Sequence, residues 1–157
     1  MSKVALLTVH GMGETQEDYH LSLLAALKKK LNGRFDGVSV HRVYYQSLLQ
    51  ANQSAVWEAC KDSVDYHGLR KFFLFGLADA AGLETGKDAP QSVYELAQRE
   101  IAHNMLSARD AVGPDGPVIA IAQSLGGQVL SSYIYDAQKA IKARAGTPNG
   151  HYPGAGM

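Results

Sequence analysis

The order of apolar and polar positions along the chain predicts alternating strands and helices. Val4-Ala5-Leu6-Leu7-Thr8-Val9 is a nearly continuous apolar run closed by Gly11 and Gly13. That pattern suits a strand buried on both faces of a parallel sheet. Thr15-Gln16-Glu17-Asp18 has the form of a capping box with Asp in place of Glu, which predicts a helix start. Leu23, Leu24, Leu27 and Leu31 then recur at helical spacing. Lys28, Lys29 and Lys30 fall in the last turn, where the helix dipole favours cations, and Asn32-Gly33 ends the element. Val38 to Tyr44 alternates and is rich in β-branched and aromatic residues, so a second strand is expected there. The two strands and the helix between them make a unit whose crossover should be right-handed.

Residues 46 to 89 are less regular. Ser54 to Asp62 reads as a short helix. Leu69 to Ala78 is strongly apolar without a clean period; a helix is the preferred reading and a strand the alternative. Gly82, Gly86 and Pro90 interrupt this region. Ser92-Val93-Tyr94-Glu95 is a full capping box, and Val93, Ala97, Ile101, Met105, Ala108 and Val112 form one apolar stripe behind it. Gly113-Pro114-Asp115-Gly116-Pro117 stops that helix. Val118 to Ala122 is a third buried strand, Gln123 to Gly127 a sharp turn, and Leu125, Val129, Tyr133, Ala137 and Ile141 mark a last amphipathic helix. From Gly146 onward the chain is rich in Gly and Pro and is expected to fray. The expected fold class is therefore α/β: three layers, with a mostly parallel sheet flanked by helices.

Composition narrows the possibilities. The 157 residues fit one domain, and no repeat or linker divides them. Lys plus Arg number 15 and Asp plus Glu also 15, so no basic footprint points to nucleic acid. Cys60 is the single cysteine, which excludes an internal disulfide and suits a reducing, cytoplasmic setting. The N-terminal apolar run superficially resembles a signal peptide, but it is short and lacks a cleavage site, and is read as a strand. No membrane span is expected.

Two segments carry candidate chemistry. Ile119-Ala120-Ile121-Ala122-Gln123-Ser124-Leu125-Gly126-Gly127 runs from apolar strand through a tight turn into helix, with Ser124 at the apex. This is the context of a nucleophile elbow. Such a turn strains the backbone and lifts the hydroxyl above the sheet, and small residues two before and two after it let strand and helix approach. Ala122 stands where the usual pattern has Gly; Gly126 fits it. The helix that follows offers a free N–H and partial positive charge to a developing oxyanion, with the Leu125 N–H as donor. The plainer alternative is a serine that merely begins a helix. The second segment is Val9-His10-Gly11-Met12-Gly13, directly after the first strand. Its glycines allow close backbone approach to a substrate oxygen, and Met12, with Gly11 beside it, is the donor candidate. His10 reads as structural, shaping the loop through a hydrogen bond. Phosphate binding by Gly11-Met12-Gly13 is the rival reading, but the third glycine and the P-loop lysine are missing and Glu14 would repel phosphate.

Together these segments resemble the α/β-hydrolase superfamily, in particular bacterial lipase-like serine esterases. The resemblance covers most of the chain in layout, but only the two segments are specific. It implies that the three strands correspond to the family's third, fourth and fifth, and that the reaction is acyl transfer from a carboxylic ester to water. It also implies an acid and a histidine after the nucleophile. After Ser124 the chain offers only Asp136 and His151. Asp136 lies three turns along the helix leaving the elbow and reads as a surface residue. His151 is the candidate general base, although a Gly/Pro-rich segment positions a base poorly. His10, His20, His41, His67 and His103 precede the serine, and none has an acidic orienter by spacing. No cofactor is expected, and no His/Cys/Asp spacing suggests a metal.

The order second–first–third strand leaves Val118–Ala122 as an apolar edge, an association hazard that calls for a cover. The expectation is thus a single, incomplete α/β-hydrolase-like domain over residues 1–157, weakly active or inactive, its edge covered by the rest of a longer hydrolase or by a second copy. The alternative function is a non-catalytic interaction module that pairs through that edge. Phe72, Phe73 and Phe75 are expected to form a lid or an acyl-pocket wall or, more simply, to fill the core, and Trp57, Tyr44 and Tyr45 to serve packing.

Overall fold

The computed structural model describes residues 4–49, 51–84 and 89–146. Strand β1 spans Val4–Val9, helix α1 Leu21–Leu31, strand β2 Val38–Val43, helices α2 to α5 Gln46–Leu49, Ala51–Cys60, His67–Glu84 and Val93–Val112, strand β3 Val118–Ala122 and helix α6 Leu125–Gly146. Short 3₁₀ turns occupy Asn32–Gly37 and Lys61–Ser63. Both strand pairings are parallel, in the order β2-β1-β3. The architecture is a small three-stranded parallel α/β sheet flanked by helices, with β1 central as its apolar run requires.

Register explains where the core sits. Val9 pairs with Val43 on one side and with Ala122 on the other, so these three side chains share a face. Leu7, Val9, Val43 and Tyr45 on that face pack with Leu83 of α4, Ala97 and Ile101 of α5, and Leu125 and Val129 of α6. The α5 stripe is buried at Ala97, Ile101 and Ala108, as its spacing predicts. Its start is capped as predicted: Ser92 Oγ accepts the Glu95 N–H at 3.1 Å, while the Glu95 carboxylate accepts the Gln91 N–H at 2.5 Å.

On the other face, Leu6 pairs with Ile119 and Thr8 with Ile121. Leu6 and Thr8 are buried, but Ile119 is 55% and Ile121 38% exposed. Among the described residues β3 is paired only through β1, so its far edge is open.

Several elements differ from the sequence reading. The Thr15–Asp18 capping box does not form. Thr15 Oγ1 donates to the Gly13 carbonyl at 3.3 Å, and α1 begins at Leu21 with no side-chain cap. Tertiary bonds compete for this stretch: Tyr44 donates its hydroxyl to the Thr15 carbonyl at 3.0 Å, and Arg42 donates to the Glu17 carbonyl at 2.7 Å. Helix α1 has no fully buried residue; Leu23, Leu24 and Leu27 are half-buried. Leu69–Ala78 is helical, inside α4, which also runs through Gly82 instead of breaking there. Gly86 lies outside the described residues. Among the described residues no helix is long and apolar enough to cross a membrane.

Candidate active site at the Ser124 turn

The carboxyl end of β3 enters the turn at Gln123. Gln123 N–H donates to the Val9 carbonyl at 3.1 Å, tying the turn to the end of β1. Ser124 has φ 50°, the left-handed region that a non-glycine residue occupies only under local constraint. The Gly126 N–H donates to the Gln123 carbonyl at 2.8 Å and the Gly127 N–H to the Ser124 carbonyl at 2.9 Å, closing the turn into α6. Leu125 and Val129 anchor that helix in the core. Ala122 is half-buried against the same cluster, so its methyl group is accommodated.

Two glycines decide how closely the turn approaches the loop after β1. A Cβ on Gly126 would collide with the His10 carbonyl oxygen and would lie 2.9 Å from Val9 O. A Cβ on Gly11 would lie 3.1 Å from Gln123 O and 3.2 Å from Ser124 Cβ. The two segments singled out in the sequence are therefore in direct backbone contact.

His10, Gly11, Met12, Glu14, Thr15, Gln16, Tyr19, Phe72, Gln123 and Ser124 surround an open groove of about 550 Å³. Ser124 is exposed into it. Among the described residues, the backbone N–H groups of Gly11, Met12 and Leu125 have no backbone acceptor. Gly11 and Met12 line the groove on the β1 loop, and Leu125 is the first residue of α6, where the helix dipole favours negative charge. Helix α4 borders the groove: Lys71 pairs with Glu14 at 2.8 Å, and the Met12 side chain reaches Gly76. Phe75 is a core residue, whereas Phe72 and Phe73 are about half exposed, and Phe72 lines the groove.

His10 is 2% exposed and fully engaged. Its Nδ1 lies 2.8 Å from the Gly11 carbonyl and its Nε2 3.2 Å from the Tyr45 N–H. Burial favours the neutral ring and holds its pKa below the ordinary 6.5, opposed in part by the Gly11 bond. Tyr19, beside it, donates its hydroxyl to the Thr8 carbonyl at 2.7 Å, and burial pushes its pKa up.

The other histidines are placed elsewhere. His41 on β2 bonds Ser39 at 2.9 Å, His67 meets Trp57 edge-on at the start of α4, and His103 is exposed on α5. Among the described residues no histidine is hydrogen-bonded to Ser124. Asp136 accepts the Tyr94 hydroxyl at 2.6 Å, joining α6 to α5 on the surface. His151 lies outside the described residues. No group of three His, Cys, Asp or Glu among the described residues is arranged to hold a metal ion.

The tyrosines around His10 were not read from the sequence as part of a site. One signal was present: Tyr45 follows the carboxyl end of β2, next to β1, and open α/β sheets bind ligands at that end. The Lys71–Glu14 pair carried no signal, because nothing local links residues so far apart in the chain. Comparison with protein-family models, curated proteins and solved structures finds no match to this chain.

Proposed function

We propose that the chain is an α/β-hydrolase-like serine hydrolase, lipase-like in its two motifs, that acts on carboxylic esters. One observation carries the reading: Ser124 holds a positive φ of 50° at a strand-to-helix turn pressed against a loop with free N–H groups. A serine that only starts a helix needs neither the strain nor the close approach, and a strained residue of this kind costs about 1–3 kcal/mol.

In this mechanism Ser124 Oγ attacks the ester carbonyl carbon and a histidine base takes its proton. The carbonyl oxygen becomes an oxyanion held by the N–H groups of Leu125 and Met12, with Gly11 beside them. Collapse breaks the bond to the alcohol, which leaves with the proton from the histidine. Water then attacks the acyl carbon and loses a proton to the same base; the bond to Ser124 Oγ breaks, Oγ takes the proton back from the histidine, and the carboxylic acid is released. His10 is not that base, because both its ring nitrogens are engaged. His151 is the candidate. The substrate is a small ester, with Phe72 and Met12 as the apolar wall for its acyl group.

The test is mass spectrometry after incubation with a fluorophosphonate, comparing wild type with Ser124→Ala. A single adduct that the variant lacks is expected. Absence of an adduct on wild type refutes the reading.

A second reading, a non-catalytic module, draws on the exposure of Ile119 and Ile121 along the free side of β3. A second copy added antiparallel about Ala120 would set Ile119 opposite Ile121 of its partner, a self-complementary pairing. Sedimentation of wild type and Ile119→Lys tests it. A dimer that the lysine abolishes is expected; a monomer at tens of micromolar refutes it.

A further inference from the structure

We propose that His10 is a positioning residue that aims the Met12 N–H at the oxyanion, with Tyr45 as the partner that fixes its ring. The inference rests on the reading of Ser124 as a nucleophile and concerns a residue that takes no part in the bond changes.

The protonation state follows from the partners. The Gly11 carbonyl can only accept, so the Nδ1 that lies 2.8 Å from it carries the proton and donates. The Tyr45 backbone N–H can only donate, so the Nε2 that lies 3.2 Å from it offers its lone pair. The ring is thus a neutral imidazole with the proton on Nδ1 and no free nitrogen.

What this grips is one peptide unit. The Gly11 carbonyl and the Met12 N–H belong to the same planar, trans peptide group and point in opposite directions. Fixing the Gly11 oxygen toward the His10 ring therefore turns the Met12 N–H away from it. Without the Nδ1–H bond the glycine-flanked peptide would be free to rotate, since Gly11 places no Cβ restraint on its own torsions.

The ring is itself held. The Tyr45 ring stacks on it with centroids 4.0 Å apart and planes 23° apart. The Tyr45 hydroxyl donates to the His10 carbonyl at 2.8 Å. That is the carbonyl a Cβ on Gly126 would strike, so the same residue meets the Ser124 turn by its backbone and the oxyanion loop by its ring. Tyr19 and Tyr44 close the remaining sides at centroid distances of 5.3 and 5.5 Å.

The test has two arms on the intact chain. The first is a ¹⁵N–¹H correlation spectrum of the wild-type imidazoles at neutral pH. The expected result for His10 is a proton on Nδ1 and an unprotonated Nε2; a proton on Nε2 overturns the proposal whatever the activity. The second arm is the rate of Ser124 labelling by a fluorophosphonate, whose phosphoryl oxygen occupies the position of the oxyanion. His10→Phe keeps a flat ring against Tyr45 but loses the donor, and labelling should slow about 100-fold, the effect of removing one such donor. His10→Asn places an amide N–H near the position of Nδ1 and should recover at least about tenfold of that loss. An unchanged rate in His10→Phe overturns the positioning role, and so does equal slowing in both variants. A wild type that is not labelled overturns the hydrolase reading and the positioning role with it. The spectrum still reports the tautomer, so the two failures are distinguishable.

Discussion

Gly126→Ala places one methyl group between the serine turn and the loop after β1. The added carbon would meet the His10 carbonyl oxygen, Val9 O at 2.9 Å and the His10 carbonyl carbon at 3.0 Å, all backbone atoms of the central strand and its exit. None is the flexible end of a side chain, so turn and loop must part by on the order of 1 Å, a displacement that costs about 100-fold in rate when it separates catalytic groups. Forcing an extra carbon into a packed site also costs about 1–3 kcal/mol. For a chain of this size each kcal/mol lowers Tm by about 2–4 °C, so the expected drop is about 2–12 °C. Gly127→Ala is the matched control. A Cβ there meets nothing within 4 Å, and alanine is favoured over glycine inside a helix by about 1 kcal/mol. The assays are thermal melting by circular dichroism and the rate of fluorophosphonate labelling. Gly127→Ala should melt at or slightly above wild type and label normally. A Gly126→Ala chain that melts within about 1 °C of wild type and labels at the wild-type rate would refute the close approach on which the site is built.

Two further predictions concern the scaffold. Ser92→Ala removes the acceptor of the Glu95 N–H and should cost about 1 kcal/mol, a Tm drop of about 2–4 °C, whereas Ser92→Asp should keep most of it; equal melting of all three chains would contradict the cap. The neutral His10 sets a pH dependence of known sign. Its pKa is lowered in the fold by burial among Tyr19, Tyr44 and Tyr45, so its contribution is full above the unfolded value of 6.5 and is lost as pH falls below it. The stability gap between wild type and His10→Asn, read from urea midpoints, should therefore narrow from pH 7.5 to pH 5.5, and a widening gap would show that the ring is charged in the fold.

Much of the fold was legible because it is local. The run Val4–Val9, the alternation Val38–Tyr44 and the run Val118–Ala122 are strands in the structure to within a residue, the second ending at Val43. The Ser92 cap and the α5 stripe are local devices as well, and both appear as read. Phe72 and Phe75 were not separable in advance: they lie three apart in a run of four apolar residues, as neighbours on one side of the helix, and only packing decides that Phe75 is buried and Phe72 exposed at the groove. The false helix start at Thr15 has the same origin. Its local preference is worth about 1 kcal/mol, and several bonds from Arg42, Tyr44 and Tyr19 outweigh it.

For the site, the sequence by itself determined the apex serine, the small residues that flank it and the glycine loop after the first strand. Backbone geometry at a strand-to-helix turn depends on neighbours a few positions away, so residue types and spacing carry it. Tertiary structure alone decided that Gly126 lies against the His10 carbonyl, that Tyr45 reaches His10 across from the adjacent strand, and that Lys71 pairs with Glu14. Those contacts join residues 35 to 116 positions apart. They exist because parallel pairing of β2 and β3 on either side of β1 brings three strand ends to one edge of the sheet, an arrangement set by the burial of the whole core and not by any local pattern.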